Sequence, residues 1–309
     1  MNQYSNIVLV ADNAYAPYTA VTIASLFEHN PNTSFHIYIL TCNFSDENKK
    51  IISSFFQKND NINRTIDILT VDSNCLSLYD GIGDWSKYTF MKLLIPDYLP
   101  KDLDKVIYLD TDIYITGNIQ ELIDYDISSY GLAGIEDAPS CISHKIRLNI
   151  PHESLYINSG VMIINLKKWR EASHKGYFND FVNINKNRMK LNDQDVINSV
   201  FQNQIAGLHL RYNVTNFCYG IHKKLTLTHL KQLKEALKHP VIIHFTNWNK
   251  PWIAENFHYF KSAYLTTMSH TPYQYLIPNI LRIKDRRLWL INGIKYWCAY
   301  ILDVVKYKI

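Results

Sequence analysis

Short apolar runs alternate with helical patterns through the first third of the chain, and this alternation constrains the fold more than any other feature. Residues 7–11 (IVLVA), 35–40 (FHIYIL), 66–71 (IDILTV) and 105–109 (KVIYL) each read as a strand, dense in β-branched and aromatic residues. Residues 17–29 read as a helix, with Val21, Ile23, Ala24, Leu26 and Phe27 apolar. A second helix follows Ser45, with Asp46 and Glu47 in its first turn, where a helix N-terminus favours negative charge. Residues 87–94 read as a helix that stops before Pro96. Strands alternating with helices predict a mostly parallel sheet with helices on both faces.

The same pattern continues downstream. Residues 132–135 read as a strand ending in Glu136-Asp137, and residues 161–166 as a strand after Asn158-Ser159-Gly160. A helix starts at Leu166. Asn192 reads as the N-cap of another, with Val196, Ile197, Val200 and Phe201 as its apolar face. Residues 241–243 form a late apolar run ending in His244.

Sheets of this type bind ligands beyond the carboxyl ends of their strands. Asp12-Asn13 follow the first run and Asp110-Thr111-Asp112 the fourth, so both polar clusters fall on the binding edge. On spacing alone the acidic tripeptide has two readings, a metal site or a plain acidic strand end. No GxGxxG follows the first strand, no GxxxxGK[ST] occurs, and the chain has only ten glycines. A phosphate held here would need its charge neutralised by a divalent cation on carboxylates.

The 309 residues suffice for a full core, and one large α/β domain (1–270) with a C-terminal appendage (271–309) is the expected organisation. A composition of 47% hydrophobic and 19% charged residues excludes a disordered chain. The five cysteines (Cys42, Cys75, Cys141, Cys218, Cys298) form no CxxC pair, which points away from a disulfide framework or zinc site and toward a reduced, cytoplasmic setting. The N-terminus lacks a basic region, and its apolar run is too short for a signal peptide. No window reaches 18 uninterrupted apolar residues, so no membrane-spanning helix is expected.

The chain's net charge of +4 belongs to its end. From residue 276 onward, seven cations (Arg282, Lys284, Arg286, Arg287, Lys295, Lys306, Lys308) face two anions (Asp285, Asp303), which leaves the remainder slightly acidic. Leu290, Ile294, Trp297, Ile301 and Val304 recur at helical spacing, and Trp289, Tyr296, Tyr300 and Tyr307 add amphipathic aromatics. This predicts an interfacial helix on an anionic membrane surface, at the inner face of the cytoplasmic membrane. The competing reading is a helix packed on the domain with a solvated basic end.

Taken in order, the motifs resemble the family-8 retaining glycosyltransferases, which include glycogenin and the bacterial lipopolysaccharide galactosyl- and glucosyltransferases. The resemblance covers roughly residues 6–252. It rests on Val10-Ala11-Asp12-Asn13-Ala14-Tyr15, Phe90-Met91-Lys92-Leu93-Leu94-Ile95-Pro96, the block from Asp104 to Asp112, Asn158-Ser159-Gly160-Val161 with Asn165-Leu166-Lys167-Lys168-Trp169, Asp193-Gln194-Asp195, and His244-Phe245 followed by Lys250-Pro251-Trp252.

The resemblance implies a GT-A type, Rossmann-like nucleotide-diphospho-sugar transferase fold, with a mixed, mostly parallel sheet and a helical tail. It also implies a UDP-hexose donor (galactose or glucose), Mn²⁺ or Mg²⁺, and transfer with retention. Asp110, Asp112 and His244 are then the metal ligands, a mixture of oxygen and nitrogen that suits Mn²⁺. Ala11, Asp12, Tyr15, Lys92, Thr111 and Lys250 join them on the nucleotide and diphosphate side. The Asp12 carboxylate would accept from uracil N3–H, the Tyr15 ring would stack on the base, and Lys250 would meet the diphosphate as a point charge. Asp137, Asn158, Ser159, Asp193 and Gln194 line the sugar side.

Gln194 and Asp193 are the catalytic candidates. An amide is a poor nucleophile, which favours front-face attack over the two-carboxylate route of retaining glycosidases; double displacement through Asp193 is the alternative. Two positions depart from the family pattern. Lys92 stands where arginine is usual, so the charge remains but the bidentate fork is lost. Asn247 stands where a small residue, often glycine, is common.

The acceptor expected is a lipopolysaccharide, lipooligosaccharide or other lipid-linked glycan, with a protein acceptor as the alternative. A non-enzymatic basic nucleic-acid-binding protein fits poorly, because the charge outside the tail is not basic. The sequence carries no statement about oligomeric state.

Overall fold

A computed structural model describes residues 4–56, 63–83, 86–138, 141–219, 225–247, 250–283 and 286–307. The chain divides into two compact units. The first comprises Met1–Ala16, Asn32–Thr111 and Gln120–Leu208, and the second Pro17–Pro31, Asp112–Ile119 and His209–Ile309. Among the described residues, ten strands occur in chain order: β1 (Ser5–Val10), β2 (Phe35–Thr41), β3 (Arg64–Thr70), β4 (Lys105–Leu109), β5 (Ile113–Ile115), β6 (Leu132–Glu136), β7 (Ile157–Asn165), β8 (Ile205–Gly207), β9 (Val214–Thr215) and β10 (Ile242–His244).

The first unit is built on a seven-stranded sheet of order β3-β2-β1-β4-β7-β6-β8. β1 runs parallel to β2 and β4, β2 parallel to β3, and β6 parallel to β8. β7 opposes both its neighbours, β4 and β6, so the sheet is mixed and mostly parallel, as expected. Ile7, Val8 and Leu9 of β1 and Val106 to Leu109 of β4 are buried, which is why their sequences read as continuous apolar runs. The register Val8↔Tyr108 sets β1 and β4 side by side, so the ends that lead into Asp12 and Asp110 share one edge of the sheet. The β6–β7 register shifts between Gly134 and Ile135, immediately before Ile135 pairs with Asn158. Such an irregularity re-aims neighbouring side chains, here beside Asn158 and Ser159.

Trp169 is fully buried, stacked on Phe201 at 5.4 Å and edge-on to Phe178 at 5.7 Å. Arg170 follows on the same helix, Leu166–His174, and ties down the turn that feeds β4. Its guanidinium donates to the carbonyls of Pro100 (2.7 Å), Leu103 (2.8 Å), Lys101 (3.2 Å) and Pro96 (3.4 Å). Arg170→Ala leaves these carbonyls without their charged donor. The expected cost is about 1.5–3 kcal/mol, read as a lower urea midpoint at unchanged slope.

Two local expectations are corrected. Residues 87–94 form a 3₁₀ helix (Lys87–Leu94) that does not stop before Pro96 but continues into the short helix Ile95–Tyr98. Proline is tolerated there because first-turn N–H groups have no intrahelical partner. Asn192 is not an N-cap: it is the first residue of the helix Asn192–Val200, with φ +42°. Leu191 is the N-cap, without a side-chain capping bond, and the Asp195 carboxylate holds the segment leading into the helix by accepting the N–H groups of Lys190 (2.8 Å) and Leu191 (3.0 Å).

The second unit holds a three-stranded sheet, β5-β10-β9, with β10 antiparallel to β5 and parallel to β9. Residues of the helix Ala16–His29 anchor it through buried polar groups. Thr22 donates to the Ile113 carbonyl (2.9 Å), and Ser25 accepts the Ile115 N–H (3.1 Å).

The C-terminal helix, Arg286–Tyr307, packs by Gly293 against the Phe257 ring and by Tyr296, whose hydroxyl accepts the Tyr259 N–H (3.2 Å); Asp303 is buried. Leu290, Ile294, Trp297 and Ile301 are exposed, as a surface stripe requires. Val304 is half-buried, and Val305 takes its place in the exposed stripe. Lys284, Asp285, Lys308 and the Tyr300 side chain lie outside the described residues. No described helix is long and apolar enough to cross a membrane.

Candidate active site

β10 ends at His244, opposite Ile113 of β5, and the Phe245 N–H donates to the Asp112 carbonyl (3.0 Å). This pairing brings Asp112 and His244 together although 132 residues separate them. His244 Nε2 lies 3.2 Å from Asp112 Oδ1. On its other side, His244 Nδ1 lies 2.9 Å from Asn213 Oδ1. An amide oxygen only accepts, so Nδ1–H donates to it, and Nε2 faces the carboxylate either as the lone pair of the neutral ring or as the second N–H of the imidazolium. A cation held between Nε2 and the carboxylate, or a proton on Nε2, would each join the two groups.

Lys250 ion-pairs with the other oxygen of Asp112 and donates to the Phe245 carbonyl (2.6 Å). Burial works to raise the Asp112 carboxyl, but Lys250 and His244 outweigh it and hold it well below the ordinary carboxylate range. Asn247, the departure from a family glycine, has φ +59°. That conformation explains the preference for glycine, and asparagine is among the few other residues that adopt it readily. Trp252 stacks on Tyr18 at 3.6 Å.

Asp110 and Asp112 lie not on a strand but in the turn between β4 and β5, so strand alternation does not orient them. Asp110 precedes Asp112 by two residues, and connectivity alone keeps their Cα atoms within about 7 Å. Asp112 and His244 offer ligand atoms within 4.8 Å of each other. The Asp112 carboxylate and an imidazole whose far nitrogen lies against an amide offer an oxygen and a nitrogen donor of the kinds that suit Mn²⁺ or Mg²⁺.

In the first unit, Lys92, Ser159 and Asp193 are buried and form one cluster with the half-buried Asp110. The Lys92 ammonium lies 2.9 Å from Asp193 Oδ2 and 3.1 Å from Asp110 Oδ1. Burial alone would lower its pKa, but the two carboxylates outweigh burial and raise it. Burial pushes the Asp193 carboxyl up against the pull of Lys92 and Ser159. Tyr108, which the sequence reading passed over, donates its hydroxyl to Asp110.

Gln194 lies beside this cluster, buried. Its Oε1 accepts the Ser159 N–H (3.1 Å) and Asn158 Nδ2 (3.3 Å), and its Nε2 donates to Asp137 Oδ2 (3.2 Å). Because a backbone N–H can only donate, the amide orientation is fixed. Asp193, Gln194, Asp137, Asn158 and Ser159 are thus brought together in one hydrogen-bonded group.

The helix that carries Asp193 and Gln194 is held by its third acidic-motif residue. Asp195 is fully buried and receives both terminal nitrogens of Arg147 (2.8 and 2.9 Å) and the Tyr156 hydroxyl (2.6 Å). Sequence reasoning missed Arg147, Tyr156 and Asn213, since all three act by supporting other site residues and no spacing rule marks them. At the end of β1, the Asp12 carboxylate accepts the Tyr15 N–H (3.0 Å) and caps the 3₁₀ turn Asn13–Tyr15. Ala11 and Thr111 are both buried.

A mixed sheet with carboxylates at adjoining strand ends is the arrangement of the GT-A nucleotide-diphospho-sugar transferases. The family model "Glycosyl transferase family 8" matches residues 6–256, and the chain belongs to that family. Among its relatives, general stress protein A of Bacillus subtilis (strain 168) is 28% identical over 275 residues, covering 87% of this chain and 95% of that protein. A lipopolysaccharide 1,2-glucosyltransferase of Escherichia coli is 28% identical over 252 residues, covering 80% of this chain and 73% of the relative. The structure of the galactosyltransferase LgtC with donor and acceptor sugar analogs superposes with a TM-score of 0.74 at 22% identity, covering 86% of this chain and 96% of that one. The glycosyltransferase GlyE of Streptococcus pneumoniae TIGR4 gives 0.64 at 22% identity, covering 96% of this chain and 65% of that one. These likenesses carry the fold.

Proposed function

We propose that this glycosyltransferase moves galactose or glucose from a UDP-sugar to a lipopolysaccharide-type or other lipid-linked glycan, with retention. The observation that carries the reading is His244 Nε2 facing Asp112 Oδ1 at 3.2 Å, with Asn213 Oδ1 2.9 Å from Nδ1 on the other side of the ring. Asp110, Asp112 and His244 are the proposed ligands of Mn²⁺ or Mg²⁺, which when bound supplies Lewis-acid stabilisation of the leaving diphosphate. Asp12 and Tyr15 receive the uracil, with Ala11 and Thr111 flanking, and Lys250 donates to the diphosphate. Asp137, Asn158, Ser159 and Asp193 accept or donate to the hexose hydroxyls.

Gln194 offers no nucleophile, and its amide is pinned by three partners. The acceptor hydroxyl therefore attacks from the face that UDP leaves, and a donor phosphate oxygen takes its proton. Titration calorimetry with UDP, with and without Mn²⁺, tests the reading. Mn²⁺-dependent UDP binding is expected, and UDP binding indifferent to Mn²⁺, or none, overturns it. A glycosylated Asp193 trapped for mass spectrometry would replace the front-face route by double displacement.

The lipid-linked acceptor is supported by the lipopolysaccharide glucosyltransferase among the relatives and by the tail, residues 271–309, beside a catalytic region of 1–270. The exposed stripe Leu290, Ile294, Trp297 and Ile301, with exposed Arg286, Arg287, Lys295 and Lys306 on the same helix, suits the anionic inner face of the cytoplasmic membrane. Ile294→Ser/Trp297→Ser/Ile301→Ser alters only exposed side chains. It is expected to release the protein from anionic vesicles in sedimentation, with thermal stability retained. Undiminished sedimentation removes the tail as the anchor.

A further inference from the structure

We propose that Lys92 is a positioning residue that straps Asp110 to Asp193, and that it gives no bond to the donor diphosphate. An ammonium group has three N–H donors. Lys92 Nζ is surrounded by four acceptors of the chain: Asp193 Oδ2 (2.9 Å), Asp110 Oδ1 (3.1 Å), Ser159 Oγ (3.2 Å) and the Ser159 carbonyl (3.4 Å). Every donor is therefore spoken for inside the protein, and none is directed at a ligand.

The group has little room to turn. Lys92 is 5% exposed, its ammonium sits 4.9 Å from the centre of the Tyr108 ring, and its helix neighbours Phe90, Met91 and Leu93 are buried. To reach a phosphate it would have to leave the buried Asp193 or the half-buried Asp110 with less than its counter-charge, which is costly.

The two carboxylates serve different parts of the donor. Asp110 is on the cation side of the proposed site and Asp193 on the hexose side, where its Oδ2 also receives the Ser159 hydroxyl (2.9 Å). Without the ammonium, two carboxylates that now share one proton-rich group would repel each other and separate. Asp193 would then lose the place from which it meets the sugar. The strap thus makes hexose recognition depend on Lys92, although Lys92 touches neither sugar nor phosphate. Lysine suits this role because its compact charge sits among four acceptors at once.

This inference rests on the donor reading above and is tested by affinity ratios within one protein. Calorimetry in Mn²⁺ measures UMP, UDP and UDP-hexose on the wild type and on Lys92→Met, with Lys92→Gln as a second variant should the first fail to fold. The UDP/UMP ratio reports bonds to the second phosphate, and the UDP-hexose/UDP ratio reports the sugar. The strap predicts a UDP/UMP ratio within about threefold of wild type and a UDP-hexose/UDP ratio about tenfold lower. Mn²⁺ affinity without nucleotide, followed by electron paramagnetic resonance, is expected to hold or rise, because a neighbouring positive charge has been removed. A UDP/UMP ratio that falls tenfold, with or without loss at the sugar, overturns the proposal. So does a variant with both ratios unchanged. A wild type with no Mn²⁺-dependent UDP binding instead sinks the donor reading, and that is seen before any variant is made.

Discussion

Asp112→Asn is expected to abolish Mn²⁺-dependent UDP binding, lowering UDP affinity in Mn²⁺ by at least about a hundredfold. The basis is that partners one shell out from a metal are themselves worth about 10–100-fold. The asparagine keeps the shape but removes the anion that faces both His244 Nε2 and the Lys250 ammonium. Asn213→Ala should cost about tenfold by the same measure, because it frees the His244 ring to rotate and to change tautomer without removing a ligand. The two variants separate the readings of this cluster. If Asp112 only pairs with Lys250 and an imidazolium, Asp112→Asn changes thermal stability and leaves the Mn²⁺ dependence of UDP binding intact.

Arg147→Met carries the second large effect, a loss of about 3–5 kcal/mol in unfolding free energy at neutral pH. Methionine fills much of the volume, so the loss is electrostatic. Asp195 would keep the Tyr156 hydroxyl and two backbone N–H groups but lose its guanidinium partner in a fully buried position. The pH dependence gives the effect its signature. Burial works to raise the Asp195 carboxyl in the folded protein, and Arg147, Tyr156 and the Lys190 and Leu191 N–H groups lower it below its ordinary value. A carboxyl depressed on folding contributes stability above its unfolded pKa of about 3.9, and that contribution is lost as pH falls through the folded value. The deficit of Arg147→Met should therefore be largest at pH 7 and shrink below about pH 4, where the variant's Asp195 takes up a proton. Urea unfolding at both pH values checks this, and a deficit independent of pH contradicts it. Turnover should fall with stability, since the helix Asn192–Val200 carries Asp193 and Gln194.

Much of the architecture was legible in the chain because it is written in local, repetitive patterns. The strand 105–109 coincides with β4, and β1, β2 and β3 lie within one to two residues of the expected runs at each end. Buried parallel strands must be apolar along their whole length, so they announce themselves. The misreadings fell where a tertiary partner overrode a local rule. Pro96 signals a stop, yet it lies where a first turn has no N–H to lose. Asn192 looks like an N-cap, but it is the first helical residue, drawn in where the Asp195 carboxylate holds the N–H groups of the two residues before it.

The candidate site was legible in its residue types and order and illegible in its wiring. Asp110, Asp112, His244 and Lys250 could be named from motifs, and so could Asp193 and Gln194. Asn213, Arg147, Tyr156 and Tyr108 could not, because a residue that holds another in place needs only the right distance, and distance across the fold leaves no spacing in the chain.

By itself the sequence determined the strand–helix alternation, the exposed stripe of the tail and the set of groups available for chemistry. All three follow from periodicity and side-chain type, which are properties of the chain as written. Only the tertiary structure decided that His244 turns Nε2 toward Asp112, that Gln194 is fixed by a backbone N–H, and that Lys92 spends its donors on Asp110, Asp193 and Ser159. Hydrogen-bonding groups have a fixed number of donors and lone pairs, and which of them remain for a ligand is settled only when the rest have met their partners.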